Sequence, residues 1–463
     1  MTLQDFLLIG ATLLHLALAG AVVLDLLRQH RSTGATIAWM AILLLLPYFG
    51  LLLYVFTGTP RKRSASLAEF LARHVHAPPA DATAFCHDTE RLLRALRLPG
   101  ATLGNRLRFC SRNEDAHDAL LALIRSAQER LLLSVFSFEA DAAGLEVIAA
   151  MTERAAAGVQ VRMLVDGYGS LNLSSPALQA LAAAGGRFAR YRPLVAAGSL
   201  RGAFNYRNHR KIVVADGREA WVGGRNMALK YLASSPDGSH WADLSLLVEG
   251  SAAAVFESVF CSDWLTASGE SIEVQSPATF DSVSGNSCIQ VLAAGPDLED
   301  DTLHALLIAG IAGAQQRVWV VSPFFVPDDA LQSVLRLACR RGLDVRVIVP
   351  RRSNMRLADF VRTSYLAELA AAGARVLFFE RSVLHAKVLV LDDRVAMVGS
   401  QNLDMRSLFT NHEVAAVLYT PSDIESVAAI VEDWAAQCVA DVAPERFAKT
   451  ALAGALRIIA PLL

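Results

Sequence analysis

The sequence has no Cys-x-x-Cys pair and no cysteine with a histidine at ligand spacing; Cys86, Cys110, Cys261, Cys288, Cys339 and Cys438 are scattered. That scatter excludes a zinc ribbon and a disulfide framework, and it reads as reduced, mostly buried thiols of a cytosolic domain. Charge of one sign is lacking too. With 43 basic against 45 acidic residues, the net charge of −2 gives no bulk attraction to nucleic acid, so no nucleic-acid partner is expected.

What is present in excess is apolar sequence, 53% of the residues, and it is unevenly placed. Phe6 to Leu27 and Ala35 to Phe56 are nearly unbroken apolar runs of about 22 residues, enough as helix to cross roughly 30 Å of hydrocarbon. Arg28, His30, Arg31 and Gly34 lie between them, at the tip of a transmembrane helical hairpin spanning residues 1–59. No small-x-small cleavage site precedes Arg28 and a second run follows at once, which argues against a signal peptide. Arg61, Lys62, Arg63 and Arg73 outnumber Arg28 and Arg31, which favours a multi-pass membrane protein with its remaining domains in the cytoplasm. Asp25 is expected at the interface and His15 in a helix–helix hydrogen bond.

At 463 residues the chain accommodates two ordinary domains plus appendages. Residues 60–105 read as a connector broken by Ala77-Pro-Pro-Ala80 and Pro99-Gly100. Thereafter strand-like and helix-like runs alternate, the pattern of an α/β fold, and the order occurs twice. Arg130 to Phe138 matches Arg317 to Val326, Gly158 to Val165 matches Gly342 to Val349, and Leu181 to Gly185 matches Leu369 to Gly373. The expected architecture is therefore two duplicated α/β sandwich domains, 106–290 and 291–437, related by a pseudo-twofold axis. Residues 438–463 end the chain as a basic amphipathic helix. Within it Arg446, Lys449, Thr450 and Arg457 share one face, while Phe447, Leu452, Leu456, Ile458 and Ile459 share the other.

The repeat carries chemistry. His209-Arg-Lys211, Asp216 and Gly223-Gly-Arg-Asn226 are matched at one offset (385 − 209 = 176) by His385-Ala-Lys387, Asp392 and Gly399-Ser-Gln-Asn402. One His-x-Lys is a weak signal; two complete copies are specific. In a strand, His and Lys two residues apart project to one face, which sets a cation beside the imidazole. Asp216 and Asp392 fall at turns, where an aspartate is commonly structural, although each belongs to the repeated set of candidate catalytic residues. Asn226 and Asn402 can donate amide hydrogen bonds to phosphate oxygens beside Lys211 and Lys387. Two imidazoles, two ammonium groups and two amides, with no metal cage, suit displacement at phosphorus: one ring attacks and the other shuttles the proton. Asp243 and Glu413, each about 30 residues after a motif histidine by the sequence, are the candidates to hold the rings in the right tautomer. His240 and His412 have no lysine partner and read as satisfied polar residues.

These motifs resemble the phospholipase D superfamily, and over nearly the full length the chain is similar to the bacterial cardiolipin synthases. The resemblance rests on Ala38-Trp39 and Leu46 to Gly50, on Arg207 to Ile212 with Trp221 to Asn226, and on Ser322 to Pro327. It continues through Leu384 to Lys387, Gly399 to Ser407, Asn411 and Glu413. It implies a phosphatidyltransferase with a phosphohistidine intermediate, no cofactor and no metal, converting two phosphatidylglycerols to cardiolipin and glycerol. On that resemblance His209 is the expected nucleophile and His385 the acid/base, with membrane lipids as partners; the oligomeric state stays open, a homo-oligomer included. Asp243 stands where the second half has Glu413, and its shorter reach implies unequal orientation of the two histidines. A phospholipase D-type hydrolase, or a transferase using another donor or alcohol, shares every one of these residues. The charge balance and apolar runs speak against a nuclease, and the complete motifs against an idle scaffold.

Overall fold

The computed structural model describes residues 2–28, 33–57, 65–74, 88–173, 175–193, 205–233, 240–274 and 285–440. They fall into an N-terminal helical unit and a large α/β unit.

In the N-terminal unit the first apolar run is one helix, Leu3–Arg28, long and apolar enough to cross a membrane. The second run differs from the single span expected of it. It is divided into Thr33–Leu45 and Pro47–Thr57, because Pro47 has no N–H and disfavours helical geometry at Leu46. At about 1.5 Å rise per residue each piece is roughly 16–20 Å long, short of the hydrocarbon thickness. The pieces fold close together: a Cβ on Gly50 would lie 2.9 Å from the Ile42 carbonyl oxygen. Leu26, Trp39, Leu43 and Tyr54 form the unit's core, and the Tyr54 hydroxyl donates to Asp25, so Asp25 is bonded within the helices rather than left to solvent.

The α/β unit is organised by one fifteen-stranded sheet whose order shows the duplication directly. The first half runs outward from Thr102–Cys110 through Ser245–Glu249, Glu219–Gly223, Ile212–Ala215, Arg130–Val135 and Gln160–Asp166 to Arg187–Tyr191. Its mate runs from Ser287–Ala294 through Glu413–Leu418, Val395–Gly399, Val388–Leu391, Arg317–Val321 and Asp344–Pro350 to Arg375–Phe379. The halves join where Thr102–Cys110 pairs antiparallel with Ser287–Ala294, placing Thr102 opposite Ile289 and Asn105 opposite Ser287. Two duplicated α/β halves related by a pseudo-twofold are thus present, fused into one sheet. The central strands are buried on both faces and accordingly read as continuous Val, Ile, Leu and Ala runs. Helices cover both faces. Ser251–Ser268, buried from Ala252 to Trp264, contributes Phe256, Val259 and Phe260 to a core that continues into the second half.

Three boundaries move. The connector contains much of the α/β unit: Leu67, Phe70 and Leu71 of helix Ala65–Ala72 lie in the main core, and strand Thr102–Cys110 begins before residue 106. Residues Cys438–Ala440 are an edge strand paired with Arg375–Phe379, not the start of a helix. Residues 441–463, including the faces read as amphipathic, lie outside the described residues. Cys110, Cys261, Cys288, Cys339 and Cys438 are free thiols, the first four buried, in agreement with the reduced pattern read from the sequence.

Candidate active site

Each repeated motif sits where a strand enters the sheet. His209 and Lys211 lead into Ile212–Ala215, and His385 and Lys387 lead into Val388–Leu391, so the register of these buried strands fixes where both rings emerge. Just before each strand the backbone crosses to the other half. His209 donates its N–H to the His412 carbonyl at 2.9 Å, and His412 donates to the Arg207 carbonyl at 2.9 Å. In the mirror position Val383–Leu384 pairs parallel with Trp241–Ala242, and His385 donates to the Ala242 carbonyl at 2.6 Å.

That crossing exchanges the carboxylates. His209 Nδ1 lies 3.0 Å from both oxygens of Glu413, and His385 Nδ1 lies 2.7 Å from Asp243 Oδ2. Each histidine is therefore oriented by the carboxylate of the opposite half, not by the one that follows it in sequence. A carboxylate only accepts, so each Nδ1 carries the proton and each Nε2 presents its lone pair. The expectation that aspartate reaches less far is corrected: the shorter side chain makes the shorter contact. Gly224 allows this, since a Cβ there would lie 2.3 Å from Asp243 Oδ1. In the second half Ser400 takes the glycine's place and donates to Glu413 Oε2 at 2.5 Å, while Ser407 donates to Oε1 at 2.8 Å. Sequence reading missed both serines, although Ser400 lies within the repeated motif and Ser407 five residues after it.

The lysines are held by their own motifs. Lys211 Nζ donates to the His209 carbonyl at 2.7 Å, and Lys387 Nζ donates to the His385 carbonyl and lies 2.9 Å from His385 Nδ1 and 3.0 Å from its Nε2. No hydrogen-bond partner of His209 Nε2 is found among the described residues; the Phe136 ring lies edge-on to His209, 5.0 Å between centroids. Tyr231 and Trp241 flank His385 at 5.1 and 5.4 Å.

Burial dominates the electrostatics. It holds His209 down to about 4 against the pull of Glu413, and burial with the adjacent Lys387 holds His385 down to about 3. Burial also lowers Lys211 to about 7 and Lys387 to about 8, opposed chiefly by Glu413 and Asp243 respectively. For Asp243 and Glu413 burial pushes upward but is outweighed, by Lys387 and His385 at Asp243 and by His209 and Lys211 at Glu413, so both stay below the usual range. Lys387 acts on His209 and Lys211 on His385, which makes the two half-sites one electrostatic unit.

The other predicted residues divide. Asn226 is buried, accepting from Ser137 N–H at 3.2 Å and donating to the Tyr231 hydroxyl at 3.3 Å. Asn402 is buried as well, with its Oδ1 unpartnered. Asp216 and Asp392 do not join the cluster. Each lies at the far end of its strand, five residues and so about 16 Å from its lysine. Asp216 accepts the backbone N–H groups of Gln128, Glu129 and Arg130 at 2.7–2.8 Å, and Asp392 those of Gln315, Gln316 and Arg317 at 2.7–3.0 Å. Both adopt left-handed φ of 52°. Their place in the catalytic set is corrected to that of a turn that ties strand to strand.

Behind His209 lies a buried group that could in principle ligate a cation, Asp263, Asp297 and His412. Arg210 already supplies it with a cation, donating to Asp263 Oδ1 at 2.5 Å and to Asp297 Oδ2 at 3.5 Å. The His412 Nε2 contacts the Tyr191 hydroxyl at 2.9 Å, while its Nδ1, 3.1 Å from Asp297 Oδ1, makes no hydrogen bond among the described residues.

The geometry is that of two histidines, each backed by a carboxylate and a lysine, in a fused duplicate. The sequence matches the family described as "Cardiolipin synthase, PLD-like domain" over residues 120–264 and 307–436, which covers both halves. The chain belongs to the cardiolipin synthase family. It is thus a phosphatidyltransferase of the phospholipase D superfamily. Residues 17–58 match the family described as "Phospholipase D-nuclease N-terminal". Among curated relatives, "Cardiolipin synthase 1" of Bacillus anthracis is 30% identical over 434 residues, 88% of this chain and 84% of its own length. "Cardiolipin synthase" of Geobacillus thermodenitrificans is 32% identical over 422 residues, 88% and 84%. The fold is shared with phosphatidylserine synthase of Haemophilus influenzae, TM-score 0.57 at 14% identity, covering 81% of this chain and all of that one.

Proposed function

We propose that the chain transfers the phosphatidyl group of one phosphatidylglycerol to a hydroxyl of a second, giving cardiolipin and glycerol. His209 Nε2 attacks phosphorus, the P–O bond to the leaving glycerol breaks, and His385 supplies the proton that this oxygen takes up. His385 then removes the proton from the acceptor's hydroxyl, whose oxygen displaces His209. Lys211 and Lys387 stand ready to balance the charge on the phosphate oxygens, and Asn226 and Asn402 to donate to them.

The observation that carries the division of roles is the unequal environment of the Nε2 atoms. The His209 Nε2 has no partner among the described residues, while the Lys387 ammonium lies against the His385 ring, 2.9 Å from Nδ1 and 3.0 Å from Nε2. Burial keeps both rings neutral in the empty site, which suits a nucleophile. The acid gains its proton with the substrate, because a phosphodiester anion opposes the burial and lysine effects that depress His385. Exchange of one phosphodiester for another is close to isoenergetic, and dry surroundings favour a lipid hydroxyl over water. The helix Leu3–Arg28 and the basic residues after the second apolar run support an inner-membrane protein with a cytoplasmic catalytic unit.

The test uses phosphatidylglycerol as sole lipid: cardiolipin and glycerol are expected, unchanged by chelator. Phosphatidic acid as main product would make the chain a hydrolase, and abolition by chelator would refute the mechanism.

A further inference from the structure

Single exposed apolar side chains are ordinary on any protein surface, but in the α/β unit they are not scattered. Of the nine large exposed apolar side chains among its described residues, five belong to two short segments: Tyr168 and Leu171, and Met355, Leu357 and Phe360, each 39–56% exposed. Both segments follow corresponding strands of the duplicate, Gln160–Asp166 and Asp344–Pro350.

The sheet places both at the edge from which the histidines emerge. Arg130–Val135, Gln160–Asp166 and Arg187–Tyr191 are mutually parallel, and Ile212–Ala215 is antiparallel to the first, so His209 enters at the end where the parallel strands leave. The same registers hold for Arg317–Val321, Asp344–Pro350 and Val388–Leu391 around His385. Local bonds tie the segments to the site walls. The Ser170 hydroxyl accepts the Phe138 N–H at 3.0 Å and donates to the Phe136 carbonyl at 3.1 Å, and Phe136 is the ring against His209. Arg190 donates to the Ser170 carbonyl at 2.7 Å from below. In the second half Arg362 donates to the Pro350 carbonyl at 2.7 Å and to that of Pro323 at 3.4 Å. The first tip is thus carried by a braced loop, and the second by the braced first turns of helix Arg356–Ala372 with Met355 before it. Beside the second tip stand Arg352 and Arg356, exposed and without an ion pair among the described residues.

We propose that these two segments are a pair of membrane-contacting tips, which insert apolar side chains into an anionic lipid surface while Arg352 and Arg356 engage its phosphates, and so press the rim of the active site onto the bilayer. Apolar tips with flanking arginines match the layering of such a surface, hydrocarbon below and anionic headgroups above. The role goes beyond the proposed reaction: it fixes how a lipid phosphate leaves the bilayer for the site, whichever alcohol accepts it.

The test uses the full chain reconstituted in bilayer nanodiscs of phosphatidylglycerol. A fluorescent amino acid replacing Leu171 or Leu357 is expected to be quenched by lipids brominated on the acyl chain. The same probe replacing Leu337, exposed on helix Asp329–Arg340, is expected not to be. Quenching needs no turnover, so it stands or falls separately from the reaction. Leu171→Ser with Leu357→Ser, and Arg352→Gln with Arg356→Gln, should each slow turnover of bilayer substrate about tenfold while short-chain monomeric phosphatidylglycerol is turned over within about twofold of the parent. Absence of quenching at both tips, an equal loss on both substrates, or no loss on either would overturn the proposal.

Discussion

The exchange of carboxylates makes a prediction opposite to the one that chain order suggests. Glu413→Gln keeps the shape of the side chain but removes its charge. Both oxygens lie 3.0 Å from His209 Nδ1, so in either orientation the new amide presents that nitrogen with one neutral carbonyl acceptor and one NH2 donor. The charge that fixes the proton on Nδ1 is gone, and the tautomer with its proton on Nε2, which lacks the nucleophilic lone pair, gains population. Losing a charge-assisted buried hydrogen bond costs about 1.5–3 kcal/mol, or roughly 10- to 100-fold in rate. The wrong tautomer can extend the loss to about 10⁴-fold, as in other histidines oriented by an acid. The assay is covalent trapping of a labelled phosphatidyl group. His385→Ala should still trap label slowly and His209→Ala should not. Glu413→Gln, though it lies in the second half, should behave like His209→Ala, and Asp243→Asn like His385→Ala. Adding His209→Ala to Glu413→Gln should cost little more than either alone, since the two act as one unit. Normal trapping by Glu413→Gln together with its loss in Asp243→Asn would refute the crossed pairing or the assignment of the nucleophile; His209→Ala against His385→Ala decides which.

Other outcomes follow from neighbouring features. Replacing Gly224 with serine, to imitate the second half, should abolish turnover, because the new Cβ would fall 2.3 Å from Asp243 Oδ1; activity within about twofold of the parent would show that the carboxylate can move. Asp216→Ala and Asp392→Ala should each destabilise the fold by about 2–4 kcal/mol, read by denaturant unfolding, with the KM of the folded protein unchanged. A stable protein with greatly reduced kcat would restore these aspartates to the catalytic set. With both histidines held well below their unfolded value near 6.5, the unfolded state binds more protons as pH falls from about 6.5 toward 4. Stability should therefore decline over that window, by at most about 1.4 kcal/mol per pH unit for each histidine, and less steeply in the His209→Gln, His385→Gln double variant. Deleting residues 444–463 should weaken activity on vesicles, and unchanged activity would deny the tail a role in holding lipid.

Local signals carried well. His209, Lys211 and their mates were legible because two-residue spacing on a strand is a local property, and the duplicated halves because whole runs of strand and helix recur in order. Pro47 was legible in principle as the break in the second apolar run. What escaped was decided between segments distant in sequence. Asp243 and Glu413 stood out as candidates, but which ring each serves depends on Trp241–Ala242 lying beside Val383–Leu384, a pairing 142 residues apart that no periodicity announces. The start of strand Thr102–Cys110 was hidden in an apparent connector because the strand is only partly buried and its sequence holds four polar or charged residues, Thr102, Asn105, Arg106 and Arg108. Arg210 was passed over as the variable residue between His and Lys, although burial makes it the cation that pairs with Asp263 and Asp297.

The crossing of the backbone before His209 and His385 also bears on how such an enzyme could arise. A single half, with its own histidine and its own carboxylate, holds the two on separate strands that meet only a second copy. Its smallest working form is an isologous homodimer, in which each protomer lends the other an acid. Joined in one chain, the two copies need not be alike, and Gly224 with Asp243 differs from Ser400 with Glu413. Damage to either half is therefore inherited by the histidine of the other.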